Sequence, residues 1–197
     1  MEYTGCRALS VDESERILNA FVGRYAARNR TLFLLGIHTG FRISEILSLH
    51  VCDVWNGHVV LPSVTVQKAF MKGKGKSRTM LLHDRVRRAL AEWIDELTAI
   101  EKRSDQKLFP RQRTTVAMTP HQAYGLIRRA AVAAGLGQDR IGTHTMRKTF
   151  ASRMWASPHV NGDMAKMARL LGHQNWSNTL RYVEFLDGSL SRAVLAA

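Results

Sequence analysis

A single β-rich stretch interrupts an otherwise helical pattern, and this limits the folds that the chain can adopt. Residues 58–83 contain the segments HVVLPSVTVQ and RTMLLH, which are β-branched and apolar and flank the loop KAFMKGKGKS. Such a pattern predicts a small antiparallel β-element. Elsewhere apolar residues recur at helical spacing, as Met146, Phe150 and Met154 do. The expected fold is mainly α with one small antiparallel β-sheet.

Capping signals mark where two of the predicted helices begin. Ser10 and Glu13 form a capping box ahead of an apolar stripe, and Thr119 with Pro120 forms an N-cap and first-turn pair. The other predicted helices lie at about 28–38, from near 42, and at 84–102, 143–156, 163–172 and from about 175. No internal repeat or long linker divides the 197 residues, so we expect one domain.

The chain is strongly basic, and part of this charge is concentrated in the loop between the predicted strands. The sequence has 29 Lys and Arg against 16 Asp and Glu, a formal net charge of +13. Five cations and no acidic residue occupy 68–78, namely Lys68, Lys72, Lys74, Lys76 and Arg78. Such a loop is suited to the phosphates of a nucleic acid. A solubilising tip that contacts nothing is the alternative.

Several functional classes are disfavoured by what the sequence lacks. The longest apolar run, near residues 32–37, is far shorter than the roughly 18 residues of a membrane span. The N-terminus has no signal-peptide pattern, and Cys6 and Cys52 share no short spacing. The histidines show no metal-ligand spacing. We therefore predict a cytoplasmic, disulfide-free protein without a membrane span, a metal or a cofactor.

Two pairs of polar residues stand at predicted helix starts. Arg42 lies one helical turn before Glu45, which is close enough to hold the guanidinium in place. His144 and Arg147 share a helix face at a start where free amides favour an anion. Taken singly, each pair also fits a bland interpretation, as a surface ion pair or as a capping histidine beside a solvated arginine.

The segment LLGHQNWSNTLRY, residues 170–182, places His173 in a break between two predicted helices. On the second helix, Trp176 and Leu180 form an apolar stripe, and Tyr182 points to nearly the opposite side. A tyrosine so placed is either a solvent-exposed ring or a phenol offered to a substrate.

Together these residues suit displacement at a phosphodiester. Arginine forks stabilise charge on the non-bridging oxygens, tyrosine is a competent nucleophile, and a lysine or histidine can supply the proton for the leaving alkoxide. A phosphotyrosine ester would conserve the energy of the broken bond. No metal and no ATP would then be needed.

Three motifs in order resemble those of the tyrosine recombinases, also called phage integrases. They are TGFRISEIL at 39–47, HTMRKTF at 144–150 and LLGHQNWSNTLRY at 170–182. The third is the most specific, because its spacing from Leu171 through Thr179 to Tyr182 matches without a gap. The resemblance covers essentially all of 1–197 as a catalytic domain of the DNA breaking-rejoining fold. It implies that the family's N-terminal DNA-clamping domain is absent, so that the chain is either an excised domain or a naturally short recombinase.

The resemblance also implies a role for each matching residue. Tyr182 would attack the scissile phosphate to give a 3′-phosphotyrosyl link, and Arg42 and Arg147 would grip the phosphate. His144 and His173 would supply hydrogen bonds and proton transfer. The family places a lysine general acid on the β-hairpin, but the matching position here is glycine. Lys74 is our assignment and Lys72 the alternative. Lys148 stands where the family commonly has histidine.

The implied activity is site-specific DNA strand exchange. Double-stranded DNA would be the partner, and a homotetramer on two sites the assembly, with a monomer as the state without DNA. The tail from 188 to 197 would pack on a neighbouring protomer or on its own domain. A type IB topoisomerase, and a regulator that binds DNA without cutting it, are the alternatives. The sequence does not identify the target DNA site, and it does not distinguish integration, excision, inversion and dimer resolution.

Overall fold

The computed structural model describes residues 5–71, 76–98, 105–112, 114–137 and 140–173, together with Ser177, Thr179 and Leu180. Its regular elements are α1 (Val11–Ala20), α2 (Ala26–Thr39), α3 (Ile43–Ser48), β1 (Ser63–Val66), β2 (Arg78–Leu81), α4 (Asp84–Thr98), α5 (Pro120–Ala133), α6 (Thr143–Trp155) and α7 (Met164–Leu171). Within the described residues the sheet has two strands, so the prediction of a mainly helical fold with one small antiparallel sheet is confirmed.

Helix α2 is the central element of the core. It is apolar on most sides, and Leu32, Phe33 and Leu35 are fully buried, as expected for a helix enclosed by others. Helices α4 and α6 pack against it. Its 14 residues span about 21 Å at the usual helical rise. The last turn of α2 is buried at the point where α6 and the segment after α2 meet, and Thr39 is 0% exposed.

The predicted capping signals are present. Ser10 caps α1 and exchanges hydrogen bonds with Glu13, and Thr119 does the same with Gln122 at the start of α5. Asp163 accepts from two amides at the start of α7. These caps satisfy amides that the helices leave unpaired. Local sequence thus determines where these helices begin.

The β-hairpin pairs Val66 with Arg78 and Ser63 with Leu81. Val64 and Val66 face the core, and the alternation of side chains along β2 places Arg78 on the buried side as well. Residues 72–75, which include Lys72 and Lys74, lie outside the described residues.

The final predicted helix is described only in part. Ser177, Thr179 and Leu180 are helical, whereas Trp176, Tyr182 and the tail beyond it lie outside the described residues. Before it, α7 packs through Met167 and Leu171 on Phe150 of α6. None of the helices among the described residues has the length and apolar character that crossing a membrane requires.

Candidate active site

The chain reverses direction at Gly40, directly after α2. Gly40 has a φ of 61°, in the left-handed region, and its amide donates to Gly36 O at 3.0 Å. A Cβ at this position would stand 2.3 Å from Cδ1 of Phe150. Both the backbone conformation and the close approach of α6 therefore require glycine. The turn directs the carbonyl groups of Thr39 and Gly40 toward neighbouring guanidinium groups.

Arg42 is fixed by a buried carboxylate. Its Nη1 donates to Glu45 Oε1 at 2.8 Å, and its backbone amide donates to Oε2, also at 2.8 Å. The Glu45 side chain is 0% exposed, whereas that of Arg42 retains 22%. The pair is therefore not an ion pair at the surface. The carboxylate is held inside the protein and the guanidinium reaches outward from it.

Arg147 links two of the motif segments to its own helix. This side chain is only 2% exposed. Its Nη1 donates to Gly40 O at 2.5 Å, and its Nη2 donates to Leu171 O at 2.6 Å. The turn after α2 and the end of α7 are thus joined through one arginine. Charge-assisted bonds of this kind are among the stronger hydrogen bonds in proteins.

His173 follows the glycine that ends α7. Gly172 has a φ of 64°, and a Cβ there would lie 3.0 Å from Cδ of Arg78. The His173 ring lies between Arg147, with Nε2 at 3.0 Å from Nη2, and Thr179, with Nδ1 at 2.9 Å from Oγ1. A guanidinium group can only donate, so Nε2 of His173 accepts a hydrogen bond from Arg147. Nδ1 then carries the ring proton and donates a hydrogen bond to Thr179 Oγ1.

The charge state of His173 follows from its surroundings. Burial, and then the positive charges of Arg147, Arg42 and Arg78, lower the pKa of His173 to about 4. The imidazole is therefore neutral near pH 7. A neutral ring can act as a hydrogen-bond partner without adding a further charge to the site.

A pocket of about 200 Å³ opens beside these groups. It is lined by Arg42, Ile43, Ser44, Thr143, His144 and Arg147. The first turn of α6 forms one wall, so the start of this helix and two arginines face the same space. His144 is exposed on this side. Such a pocket is chemically suited to an anion that carries several oxygen atoms.

The structure thus brings together five of the predicted site residues, Arg42, Glu45, His144, Arg147 and His173. Lys68 and Lys76 are exposed on the hairpin. Lys72, Lys74 and Tyr182 lie outside the described residues. Lys148, on α6, is buried. No group of three His, Cys, Asp or Glu side chains within the described residues could hold a metal ion.

Arg78, predicted among the DNA-contacting cations of the loop, lies inside the protein. It is 6% exposed and stacks on the ring of Phe41, with 4.3 Å from Cζ to the ring centroid. Burial, followed by the neighbouring charge of Arg147, lowers the pKa of Arg78 to about 9, so the guanidinium remains protonated at neutral pH. The two-residue alternation of a strand was the one sequence signal that could have revealed its inward orientation.

Comparison with known proteins gives consistent matches. The model of the phage integrase family matches residues 7–188. The chain is 32% identical over 166 residues to Probable integrase/recombinase YoeC of Bacillus subtilis (strain 168), covering 84% of this chain and 82% of that protein. It is 26% identical over 187 residues to tyrosine recombinase XerC of Caldanaerobacter subterraneus subsp. tengcongensis, covering 94% and 49%.

Solved structures agree with the sequence matches. The XerH site-specific recombinase bound to a palindromic difH substrate, in a post-cleavage complex, superposes with a TM-score of 0.73 at 26% identity. That alignment covers 95% of this chain and 52% of the other. The expected recombinase catalytic-domain fold is therefore confirmed.

The fold is that of the catalytic domain of a tyrosine recombinase. The chain belongs to the phage integrase family, because the family model covers most of its length. It spans most of the Bacillus subtilis relative, but only 49% to 62% of the next three curated relatives.

Proposed function

We propose that this chain is a site-specific DNA recombinase that cleaves and rejoins strands through Tyr182. The observation that carries the proposal is the pocket in which Arg42 and Arg147 converge beside His144. Both arginines are oriented by buried contacts, to Glu45 and to backbone carbonyls. Preorganised donors of this kind stabilise the charge that develops on a phosphate during displacement.

In the proposed reaction, Tyr182 Oη attacks the phosphorus and the bond from phosphorus to the 5′-oxygen breaks. The tyrosine proton passes to His144 and the leaving 5′-oxygen gains a proton, so a 3′-phosphotyrosyl ester and a free 5′-hydroxyl result. Lys74 supplies that proton, with Lys72 as the alternative. Attack by another 5′-hydroxyl reverses the step and releases the tyrosine. Because one phosphate ester replaces another, the exchange needs no external energy source.

His173 has a supporting part in this scheme. Its ring connects Arg147 to Thr179, which stands three residues before Tyr182. The contact therefore relates the phosphate-binding arginine to the helical segment of Thr179 and Leu180, which comes just before Tyr182 in the chain. His144 borders the pocket from the first turn of α6 and donates to the bound phosphate.

The proposed substrate is double-stranded DNA, and the proposed assembly is a homotetramer on two DNA sites. Each tyrosine forms one covalent bond, so exchange of both strands between two duplexes requires four protomers. The exposed cations Lys68 and Lys76, with Lys72 and Lys74, would neutralise backbone phosphates beside the cut. Light scattering with and without paired sites tests the assembly. Because chromosomal and phage DNA are in the bacterial cytoplasm, we place the enzyme there.

A covalent trapping assay tests the reaction. The protein is incubated with nicked duplexes that carry candidate sites from its genomic flanks, without metal or ATP. We expect a denaturant-resistant protein-DNA adduct that maps to Tyr182, with a free 5′-hydroxyl on the released strand. Tyr182→Phe should form no adduct and still bind DNA. Tyr25→Phe is the matched control, because Tyr25 lies at the other end of α2.

Three results would contradict the proposal. Adduct formation by Tyr182→Phe would show that another residue is the nucleophile. Binding without an adduct on any flanking site, in a longer chain as well as in this one, would favour a regulator that does not cut. Relaxation of supercoiled plasmid by a monomer, without strand exchange between paired sites, would favour a topoisomerase.

A further inference from the structure

Arg78 differs from the other cations of the hairpin in its surroundings. Lys68 and Lys76 are exposed, whereas Arg78 at the start of β2 is 6% exposed. A buried guanidinium is desolvated, which disfavours the charged form. Arg147 is buried as well, but it lines the pocket beside Arg42, whereas Arg78 is not among the residues that line this pocket. Its role must be explained by what it touches inside the protein.

The Arg78 guanidinium contacts two segments that carry site residues. Its Nη1 donates to Leu170 O at 3.0 Å, in the last turn of α7 ahead of His173. Its Nη2 donates to Thr39 O at 3.4 Å, in the last turn of α2 ahead of Arg42. The side chain also packs against Gly172, where no Cβ would fit without displacement. One residue of the hairpin therefore fixes the relative positions of both segments.

Arg78 also faces the carboxylate that orients Arg42. Its Nη2 lies 3.7 Å from Glu45 Oε2, the oxygen that accepts the Arg42 backbone amide. The other oxygen, Oε1, accepts from the Arg42 side chain. Without Arg78, the negative charge of Glu45 would offset that of Arg42 alone. With Arg78 present, its positive charge offsets the negative charge of the Glu45 carboxylate. The positive charges of Arg42 and Arg147 therefore remain available to an anion.

We infer that Arg78 is a positioning residue of the cleavage site, which aligns the Arg42 and His173 segments and offsets the charge of Glu45, and that it does not contact DNA. This inference rests on the proposed function, since it concerns the same site. It assigns to the hairpin a second task besides DNA contact. The hairpin thereby supports, through Arg78, the segments beside the phosphate pocket.

The test compares Arg78→Met with Arg28→Met. Arg28 is a matched control, because it is also buried, donates to a backbone carbonyl, Pro110 O, and lies at the opposite end of α2. Adduct formation is measured in single turnover at saturating DNA, together with the Kd for DNA and the Tm of each variant. We expect Arg78→Met to slow adduct formation about 100-fold with Kd within about twofold, a loss confined to the bound complex. Arg28→Met should lower Tm without slowing the bound reaction.

Arg78→Lys tests the charge separately from the geometry. Lysine keeps the positive charge beside Glu45 but cannot bridge two carbonyls as a planar fork does. We expect adduct formation by Arg78→Lys to be about tenfold faster than by Arg78→Met, because the retained charge restores the part of the rate that depends on charge. If Arg78→Met does not fold, Arg78→Lys still tests the inference, because a wild-type rate or a weakened Kd in this variant contradicts it.

A second measurement needs no DNA and no activity. NMR titration of the His173 ring reports the positive charges that face it, which are Arg147, Arg42 and Arg78. The pKa of His173 should rise in Arg78→Met and stay near the wild-type value in Arg78→Lys and Arg28→Met. A structural defect alone would not produce this pattern. The titration also distinguishes the two proposals. If the wild-type chain forms no adduct, the proposed function fails, but the titration still shows whether Arg78 faces His173 as inferred.

Three outcomes would overturn the inference. A loss of DNA affinity as large as the loss of rate in Arg78→Met would make Arg78 a DNA contact. An equal slowing by Arg28→Met would reduce the effect to general destabilisation. An unchanged pKa of His173 in Arg78→Met would remove the electrostatic part of the role.

Discussion

The two ends of α2 each hold a buried arginine, but they use it differently. At the amino end, Arg28 donates to Pro110 O at 2.9 Å and to the side chain of Asn29, and its guanidinium lies over the ring of Tyr25. At the carboxyl end, Arg147 donates to Gly40 O, beside Arg78 and His173. Both arginines are almost fully enclosed. Only the second borders the pocket that we propose for the scissile phosphate.

The helix itself explains part of this difference. The last carbonyls of an α-helix have no partner within the helix and carry partial negative charge, so they attract cations. Thr39 O and Gly40 O therefore hold two guanidinium groups without neutralising them. Carboxylate partners would have cancelled that charge. The carboxyl end of α2 thus fixes cations in place and leaves their charge available to a ligand.

Removal of the site arginine should produce the largest contrast between the two ends. Arg147→Ala removes the Arg147 donors to Gly40 O and Leu171 O and one donor from the proposed phosphate pocket. We expect adduct formation to fall about 1000-fold at saturating DNA, with weaker DNA binding as well. Arg28→Ala, at the same degree of burial, should reduce stability but retain the bound rate. A loss under tenfold for Arg147→Ala in the trapping assay would contradict this contrast.

Alanine at the two glycines that flank α2 should separate strain from packing. Gly23 and Gly40 have φ values of 79° and 61°, but only at Gly40 would a Cβ meet another side chain, that of Phe150. We expect Gly23→Ala to cost about 1 kcal/mol, from the left-handed conformation alone. Gly40→Ala should cost about 2–4 kcal/mol, because overpacking adds to this strain. Urea unfolding measures both, and equal losses would show that the contact with Phe150 relaxes freely.

The site at the carboxyl end of α2 should also make the stability of the protein depend on pH. His173 has a pKa of about 4 in the folded protein against 6.5 for an unperturbed histidine. Between these values the unfolded chain binds a proton that the folded protein does not, so stability is complete above about 6.5 and falls as the pH drops toward 4. Because the ring is only partly buried, we expect a loss of roughly 1 kcal/mol. His173→Gln should make the pH profile of unfolding less steep over this range, and His58→Gln, at an exposed position, should not.

The smallest expected effect concerns the exposed hairpin. Lys76→Ala removes one cation from the surface, so the slope of log K against log salt for DNA binding should decrease by about 0.9. Arg78→Met should leave this slope unchanged, because Arg78 is buried. Filter binding over a range of salt concentrations measures both. Identical slopes for wild type and Lys76→Ala would place Lys76 outside the DNA interface.

Much of the helical framework could be predicted, because its signals are local. The capping box of Ser10 with Glu13, and the pair of Thr119 as N-cap and Pro120 in the first turn, each involve residues within one helical turn, and both are present. The motif spacing likewise brought Arg42, Arg147 and His173 to attention before any contact among them was known. Long-range matches to a family pattern carry information that the spacing of two residues alone does not.

Other features depended on contacts that sequence spacing does not reveal. The bond from Arg78 to Leu170 O joins residues 92 apart in the chain. A four-residue strand that begins with arginine gives little alternation from which to infer burial. The Arg42 and Glu45 pair has the same spacing whether it is exposed or buried, and only the packing around Glu45 distinguishes the two cases.

The hydrogen bonds that orient Arg147 bear on which residues can be substituted when the DNA target is changed. The oxygens that orient this arginine, Gly40 O and Leu171 O, belong to the main chain. Every amino acid supplies a main-chain carbonyl, so replacement of Leu171 by another apolar residue leaves the acceptor in place. Under the proposed function, laboratory evolution toward a new DNA site can therefore vary the surface side chains, while main-chain atoms keep Arg147 oriented in the proposed phosphate pocket.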